Sequence, residues 1–207
     1  MLLGASPAPA PSGLPDAATI LQNSEARWKG LSSYQVPVTI NGSVHVAFIS
    51  LPVKMTGTQY YQTPDQQALH LDNPPRLARN LGDSLSAMGT PQTWLQDYTF
   101  GAPVTQPHGR HNAYVLTGLP KRQGRVKSVT MSISSTTYAI ESMSFNYTNG
   151  ASLVVSYQRH PGVSQFHLPR SASVVAKFPG YSGSAHITYG EYQLNQPIPA
   201  SVFAAHS

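Results

Sequence analysis

Lys127-Ser128-Val129-Thr130-Met131-Ser132-Ile133 decides the fold class. Extended backbone turns successive side chains to opposite faces, so Val129, Met131 and Ile133 share one face and Ser128, Thr130 and Ser132 the other. The same alternation runs from Val126 to Tyr192. Its segments are Arg125 to Ile133, Tyr138 to Tyr147, Ser152 to Gln158, Gln165 to Leu168, Ser171 to Phe178 and Gly183 to Leu194, with Ala113 to Thr117 ahead of them. Asn149-Gly150, Pro161-Gly162 and Pro179-Gly180 punctuate the series as turns. Many short strands joined by short loops predict a meandering antiparallel sheet, which must curl or close to manage its edges.

Upstream, Asp16 is placed to cap an amphipathic helix carrying Ala17, Ile20, Leu21 and Trp28, with Gly30 to end it. Tyr34 to Ile40 reads as a strand, Asn41-Gly42 as a hairpin turn, and Val44 to Ile49 as the return strand. Leu51 to Gln62 and Gln67 to Leu71 supply two more strands across the Pro64-Asp65 turn. A second helical region starts near Pro74, its stripe formed by Leu77, Leu81, Leu85 and Met88, and Trp94 follows in a short helix or turn after Pro91. These helices are expected to lie as a cover across the sheet. The predicted fold is mainly β: a half-open antiparallel β-barrel of about ten or eleven strands with covering α-helices.

Composition sets the outer limits. The 207 residues fit one domain over 16–207, preceded at 1–15 by a disordered Pro/Ala-rich spacer or signal remnant that contains Pro7-Ala8-Pro9-Ala10-Pro11. Only 10% of residues are charged, against roughly 25% in ordinary soluble domains, with Ser, Thr, Gln and Asn in their place. Such a surface suits an extracytoplasmic protein. The net charge of +5 is too diffuse for a nucleic-acid partner. Its one local concentration, Lys121, Arg122, Arg125 and Lys127 around Gly124, is either a solvated hairpin turn or a docking patch for anionic lipid or an acidic partner. There is no cysteine, which excludes disulfide and thiol chemistry in this chain. Leu3-Gly4-Ala5-Ser6 looks like a bacterial lipobox with Ser where the lipid-bearing Cys would stand, so a lipid-anchored native form is one expectation.

Catalytic constellations do not emerge. His108 and His111 lack a third ligand nearby, so no metal and no cofactor are expected, and the pair reads as part of an exposed loop. No G-x-S-x-G, phosphate loop or dinucleotide fingerprint occurs, and Asp97, Glu141 and Glu191 are too far apart in sequence to pair. What remains is an apolar inner face. Met55, Met131, Met143, Phe145, Val155, Tyr157, Ile187 and Tyr189 hold alternating positions on their strands, and a face rich in Met and aromatics either accepts acyl chains or packs as a closed core.

The ending Tyr189-Gly190-Glu191-Tyr192-Gln193-Leu194-Asn195, then Ile198-Pro199-Ala200-Ser201-Val202-Phe203, resembles that of the LolA/LolB-like superfamily of periplasmic lipoprotein carriers and outer-membrane lipoprotein-sorting proteins. Leu51 to Tyr61 is similar to the family's early strand, and the resemblance spans about Asp16 to Phe203. It implies a half-barrel under covering helices whose apolar face holds lipid or lipoprotein acyl chains without covalent chemistry. It also implies a monomer in the periplasm or bacterial envelope, with a membrane or membrane protein as partner. In the Lol carriers a buried Arg bonds to cover-helix carbonyls; here Arg76 and Arg79 fall on the cover and the first strands hold no Arg, so the sequence does not place that group. The alternative reading is a non-enzymatic envelope sensing or scaffolding module of the same fold. An enzyme built from scattered His and Asp ranks last.

Overall fold

The computed structural model describes residues 13–72, 74, 91–159 and 166–204. In chain order the elements are α1 (Ala17–Ala26), β1 (Ser33–Val46), β2 (Ile49–Gln62), β3 (Gln66–Leu71), α2 (Pro91–Asp97), β4 (Tyr98–Phe100), β5 (Val104–His108), β6 (His111–Pro120), β7 (Val126–Ser134), β8 (Ile140–Tyr147), β9 (Ser152–Arg159), β10 (Pro169–Phe178), β11 (Tyr181–Tyr189), β12 (Gln193–Leu194) and the 3-10 turn η1 (Ala200–Phe203). The expected leucine stripe Leu77, Leu81, Leu85 and Met88 lies outside the described residues.

All twelve strands join one antiparallel sheet in the order β3-β2-β1-β11-β10-β9-β8-β7-β6-β4, with β12 beside β1 and β5 beside β6. The order ends at β3 and β4, which do not pair with each other, so the barrel is half open. The strand count exceeds the predicted ten or eleven because β4, β5 and β12 are short pieces at the margins. β5 is exposed throughout, which leaves no apolar alternation to read.

One early reading is overturned. Asn41-Gly42 is not a turn: β1 runs through it without interruption, and the chain reverses at Ala47-Phe48, where Ala47 takes a left-handed φ of 51°. The glycine serves close approach instead. A Cβ at Gly42 would stand 2.3 Å from the Ser184 carbonyl oxygen on β11, so only glycine lets the curling backbones come this near. Gly57 on β2 does the same against the His70 carbonyl, at 2.1 Å.

Inward-facing side chains of the curled sheet make the core. Val36 and Ile40 of β1, Leu116 of β6, Val129, Met131 and Ile133 of β7 and Val155 of β9 are all buried, as the period of two requires. Helix α1 closes part of the concave side. Asp16 caps it, accepting a 2.7 Å bond from Thr19 N–H, which holds the Asp16 carboxyl below its ordinary range. Ile20 and Leu21 are fully buried in the core, and α1 packs against α2.

The chain's end is tied to its beginning by Asn195. In a left-handed φ of 55°, its Oδ1 accepts from Ser32 N–H at 2.8 Å and Ser32 Oγ at 3.1 Å, and its Nδ2 donates to the Gly30 carbonyl at 3.0 Å. His70 on β3 meets the Val202 carbonyl at 2.8 Å, which seats η1 on the edge strand.

Candidate functional site

A cavity of about 100 Å³ opens in the concave face, from the middle of the sheet to the end away from the β1–β2 turn. β9 builds one wall with Val155, Tyr157 and Arg159, and β11, on the far side of β10, adds Ile187 and Tyr189. β1 adds Tyr34, Val38 and Ile40, β8 adds Met143, and Gln59 and Leu69 come from β2 and β3. Trp28, just after α1, and Trp94 of α2 line it as well.

The structure therefore gathers Met143, Val155, Tyr157, Ile187, Tyr189 and Trp94 at one cavity. It does not bring Met55, Met131 or Phe145 there. Those three are buried in the packed core, where the rows Met131–Met143–Val155 and Val129–Phe145–Leu153 stack across β7, β8 and β9. Lys121, Arg122, Arg125 and Lys127 are exposed around the β6–β7 turn, at the opposite end of the sheet from the cavity. Lys121 Nζ donates to the Leu95 carbonyl at 2.7 Å.

An aromatic cluster closes the cavity's end. Trp28 meets Tyr61 edge-on at 4.9 Å, Tyr34 stacks on Tyr61 at 5.3 Å, and Tyr192 packs on Tyr34 at 5.5 Å and on Tyr189 at 6.2 Å. Burial pushes the hydroxyls of Tyr34, Tyr157, Tyr189 and Tyr192 up, so all four stay neutral donors at any physiological pH. Gln59 Nε2 donates to the Tyr34 hydroxyl at 3.2 Å, and the Tyr192 hydroxyl donates to the Pro169 carbonyl at 2.7 Å.

Arg159 is the functional candidate the sequence reading missed. It continues the inward phase of Leu153, Val155 and Tyr157, and that spacing was the available signal. Its guanidinium lies over the Tyr157 ring at 5.6 Å, and Nε donates to the His167 carbonyl at 2.6 Å. Among the described residues no carboxylate lies within ion-pair distance of it. Burial lowers its pKa. The His167 ring in turn meets the Arg27 guanidinium, and burial first, then the charges of Arg27 and Arg159, hold His167 below its ordinary value. The cavity thus has apolar walls and one cationic end.

The two histidines read as loop residues sit instead on a tight hairpin, His108 at the end of β5 opposite His111 at the start of β6. His111 Nε2 bonds to Glu141 Oε1 at 2.5 Å, and His108 stands 3.7 Å from Oε2. Among the described residues no three His, Cys, Asp or Glu side chains are arranged to hold a metal ion. No helix among them is long and apolar enough to cross a membrane.

No protein-family model matches the chain, and no curated protein matches it by sequence. Solved structures do match in three dimensions. A domain named for outer membrane lipoprotein sorting, from Vibrio parahaemolyticus, aligns over 89% of this chain and 94% of its own with a TM-score of 0.62 at 11% identity. A LolA superfamily protein from Nitrosomonas europaea aligns over 91% and 97%, with a TM-score of 0.55 at 14% identity. The chain shares the fold of these two structures. A DUF1329 family protein from Desulfovibrio piger shares it, over 92% and 98%, with a TM-score of 0.62 at 8% identity. Within this LolA-like fold, the Tyr-x-x-Tyr-x-x-Asn ending has a physical meaning. Tyr189 lines the cavity, Tyr192 ties down the Pro169 carbonyl, and Asn195 clasps the link between α1 and β1.

Proposed function

We propose that the chain is an extracytoplasmic carrier or binder of lipid or lipidated protein, one that holds acyl chains in its half-barrel without covalent chemistry. The observation that carries this reading is the shared wall of Met143, Val155, Tyr157, Ile187 and Tyr189, contributed by β8, β9 and β11 of one concave face and converging on a cavity with an aromatic cluster at its end. The shared fold supports it, since a relative with that fold is named for lipoprotein sorting. Each CH₂ moved from water into such a site contributes about 0.8 kcal/mol, so one acyl chain offers ample driving force.

The volume sets a condition. About 100 Å³ is less than the roughly 150 Å³ of an apolar cavity that admits benzene. An acyl chain enters only as the walls spread. The same small volume favours a second reading, an envelope sensing or scaffolding module whose barrel stays filled.

One experiment separates them. Protein purified from a bacterial periplasm is extracted with organic solvent and the extract examined by mass spectrometry, and delipidated protein is titrated with a fluorescent fatty acid. Carriage predicts a stoichiometric lipid or saturable uptake. A clean protein that also takes up no probe excludes the carrier and leaves the filled module.

A further inference from the structure

Four hairpin turns lie at one end of the sheet. The antiparallel register sets Val46 opposite both Ile49 and Tyr181, Phe178 opposite Tyr181, Lys177 opposite Ser152, Asn146 opposite Ser152 and Val126 opposite Tyr147. The β1–β2, β10–β11, β8–β9 and β6–β7 turns therefore follow one another along a single rim, the end remote from Arg159 and the cavity's aromatic cluster.

This rim is apolar where a soluble protein would be polar. Phe48, at the tip of the longest hairpin, is 104% exposed, Ile49 62% and Leu51 43%, and Phe178 and Tyr181 stack at 4.9 Å on the neighbouring turn. Two-residue turns ordinarily take Asn, Gly or Asp; a Phe there leaves its ring wholly in water. The rim is also basic. Residues 44–51, 118–129, 145–154 and 175–184, which make up the turns and their flanks, contain no Asp or Glu and hold Lys121, Arg122, Arg125, Lys127 and Lys177. Five of the chain's thirteen basic residues thus lie on this rim, Lys177 on the turn next to the Phe48 tip and the other four on the β6–β7 turn farther along it.

We propose that this rim docks the protein on an anionic membrane surface, with Phe48, Ile49 and Leu51 entering the boundary between headgroups and acyl chains and Arg122, Arg125, Lys127 and Lys177 holding lipid phosphates. A bilayer is the occupant the chemistry fits. The apolar tip is convex and protruding, so it suits insertion into a yielding interface rather than a helix or strand seat. Aromatic and aliphatic tips that share one rim with Lys and Arg match the depth order of an interface. A second copy docked rim to rim would set five cations against five. This inference stands apart from the cavity reading, because none of these side chains lines the cavity.

The test is flotation of the protein with vesicles of phosphatidylcholine containing phosphatidylglycerol, against vesicles of phosphatidylcholine alone, at low and high salt. Expected is binding to the anionic vesicles, weakened by salt. The pair Phe48→Ser and Ile49→Ser should weaken that binding by about tenfold or more, with an unchanged melting temperature because both positions are exposed. Replacing Arg122, Arg125 and Lys177 by Glu should erase the preference for anionic lipid. Val155→Phe, which crowds the cavity, should bind vesicles as the parent does. Failure of the parent to bind overturns the proposal, as does binding indifferent to the tip and charge variants. Concentration-dependent self-association abolished by the Phe48 variant, in place of vesicle binding, assigns the rim to a second copy and also overturns it. If Val155→Phe abolishes flotation, lipid contact runs through the cavity and not the rim.

Discussion

Val155 shows how single residues govern the site. It is buried, faces inward from β9 and borders the empty volume, so a larger side chain there grows into the cavity rather than into packed neighbours. Val155→Phe is expected to keep a cooperative unfolding transition and to lose at least about tenfold in uptake of a fluorescent fatty acid, the equivalent of about two CH₂ groups left unburied. Unchanged uptake would place the ligand elsewhere. His167 gives the molecule a pH dependence of known sign. Because the folded state holds it below about 6.5, the unfolded chain takes up its proton first as pH falls. Stability is therefore full above that value and declines below it until the folded state is protonated as well. His167→Asn, tolerated at the left-handed φ of 51°, should flatten this part of the profile when melting temperatures are compared between neutral pH and about pH 5. A profile as steep as the parent's would assign the dependence to other groups. The inward face was legible at this scale because alternation fixes which side a residue takes, and Tyr157 and Tyr189 follow from it. Alternation does not say how deep along the strand packing ends and space begins, which is why Met131 and Met143 look alike in sequence and only Met143 reaches the cavity. Arg159 escapes the sequence reading because the predicted strand ends at Gln158, shortly before the Pro161-Gly162 break.

At the scale of elements, the segment that follows β11 is clasped to the link between α1 and β1 by one side chain. Asn195 supplies three side-chain hydrogen bonds and a left-handed turn, and past the end of β11 the ladder with β1 continues through the two residues of β12. Asn195→Ala should lower stability by about 1–3 kcal/mol, read from urea unfolding, because it removes the bonds and disfavours the backbone conformation together. Asn195→Gly keeps the conformation accessible, so the difference between the two variants separates backbone from side chain. A loss below a few tenths in both would show that the tail is dispensable. The clasp was visible in the sequence as a spacing, without its reason. Asn41-Gly42 went the other way: the pair has strong turn chemistry, yet the inter-strand distance at Gly42 was the stronger demand, and nothing local to the pair reports on a strand more than a hundred residues later.

For the whole molecule, β7 to β11 follow in order and pair with their neighbours, so local alternation was enough to foresee a curled antiparallel meander. Pairing of β1 with β11 closes the ends of the chain on each other and carried no local mark. If the cavity takes a ligand, binding stabilises the folded state by about 2.7 kcal/mol at a hundredfold excess over Kd, so protein loaded with a fatty acid should melt several degrees above delipidated protein. Equal melting points under saturating ligand would argue for a filled barrel. The unpaired margins give this its scope. Because β3 and β4 do not pair with each other, parting them breaks no ladder among the described residues. If the proposed carriage holds, the interior behaves as a cuff rather than a pipe: its bore is set by how far the two margins stand apart, and one sequence grips cargoes of unequal girth.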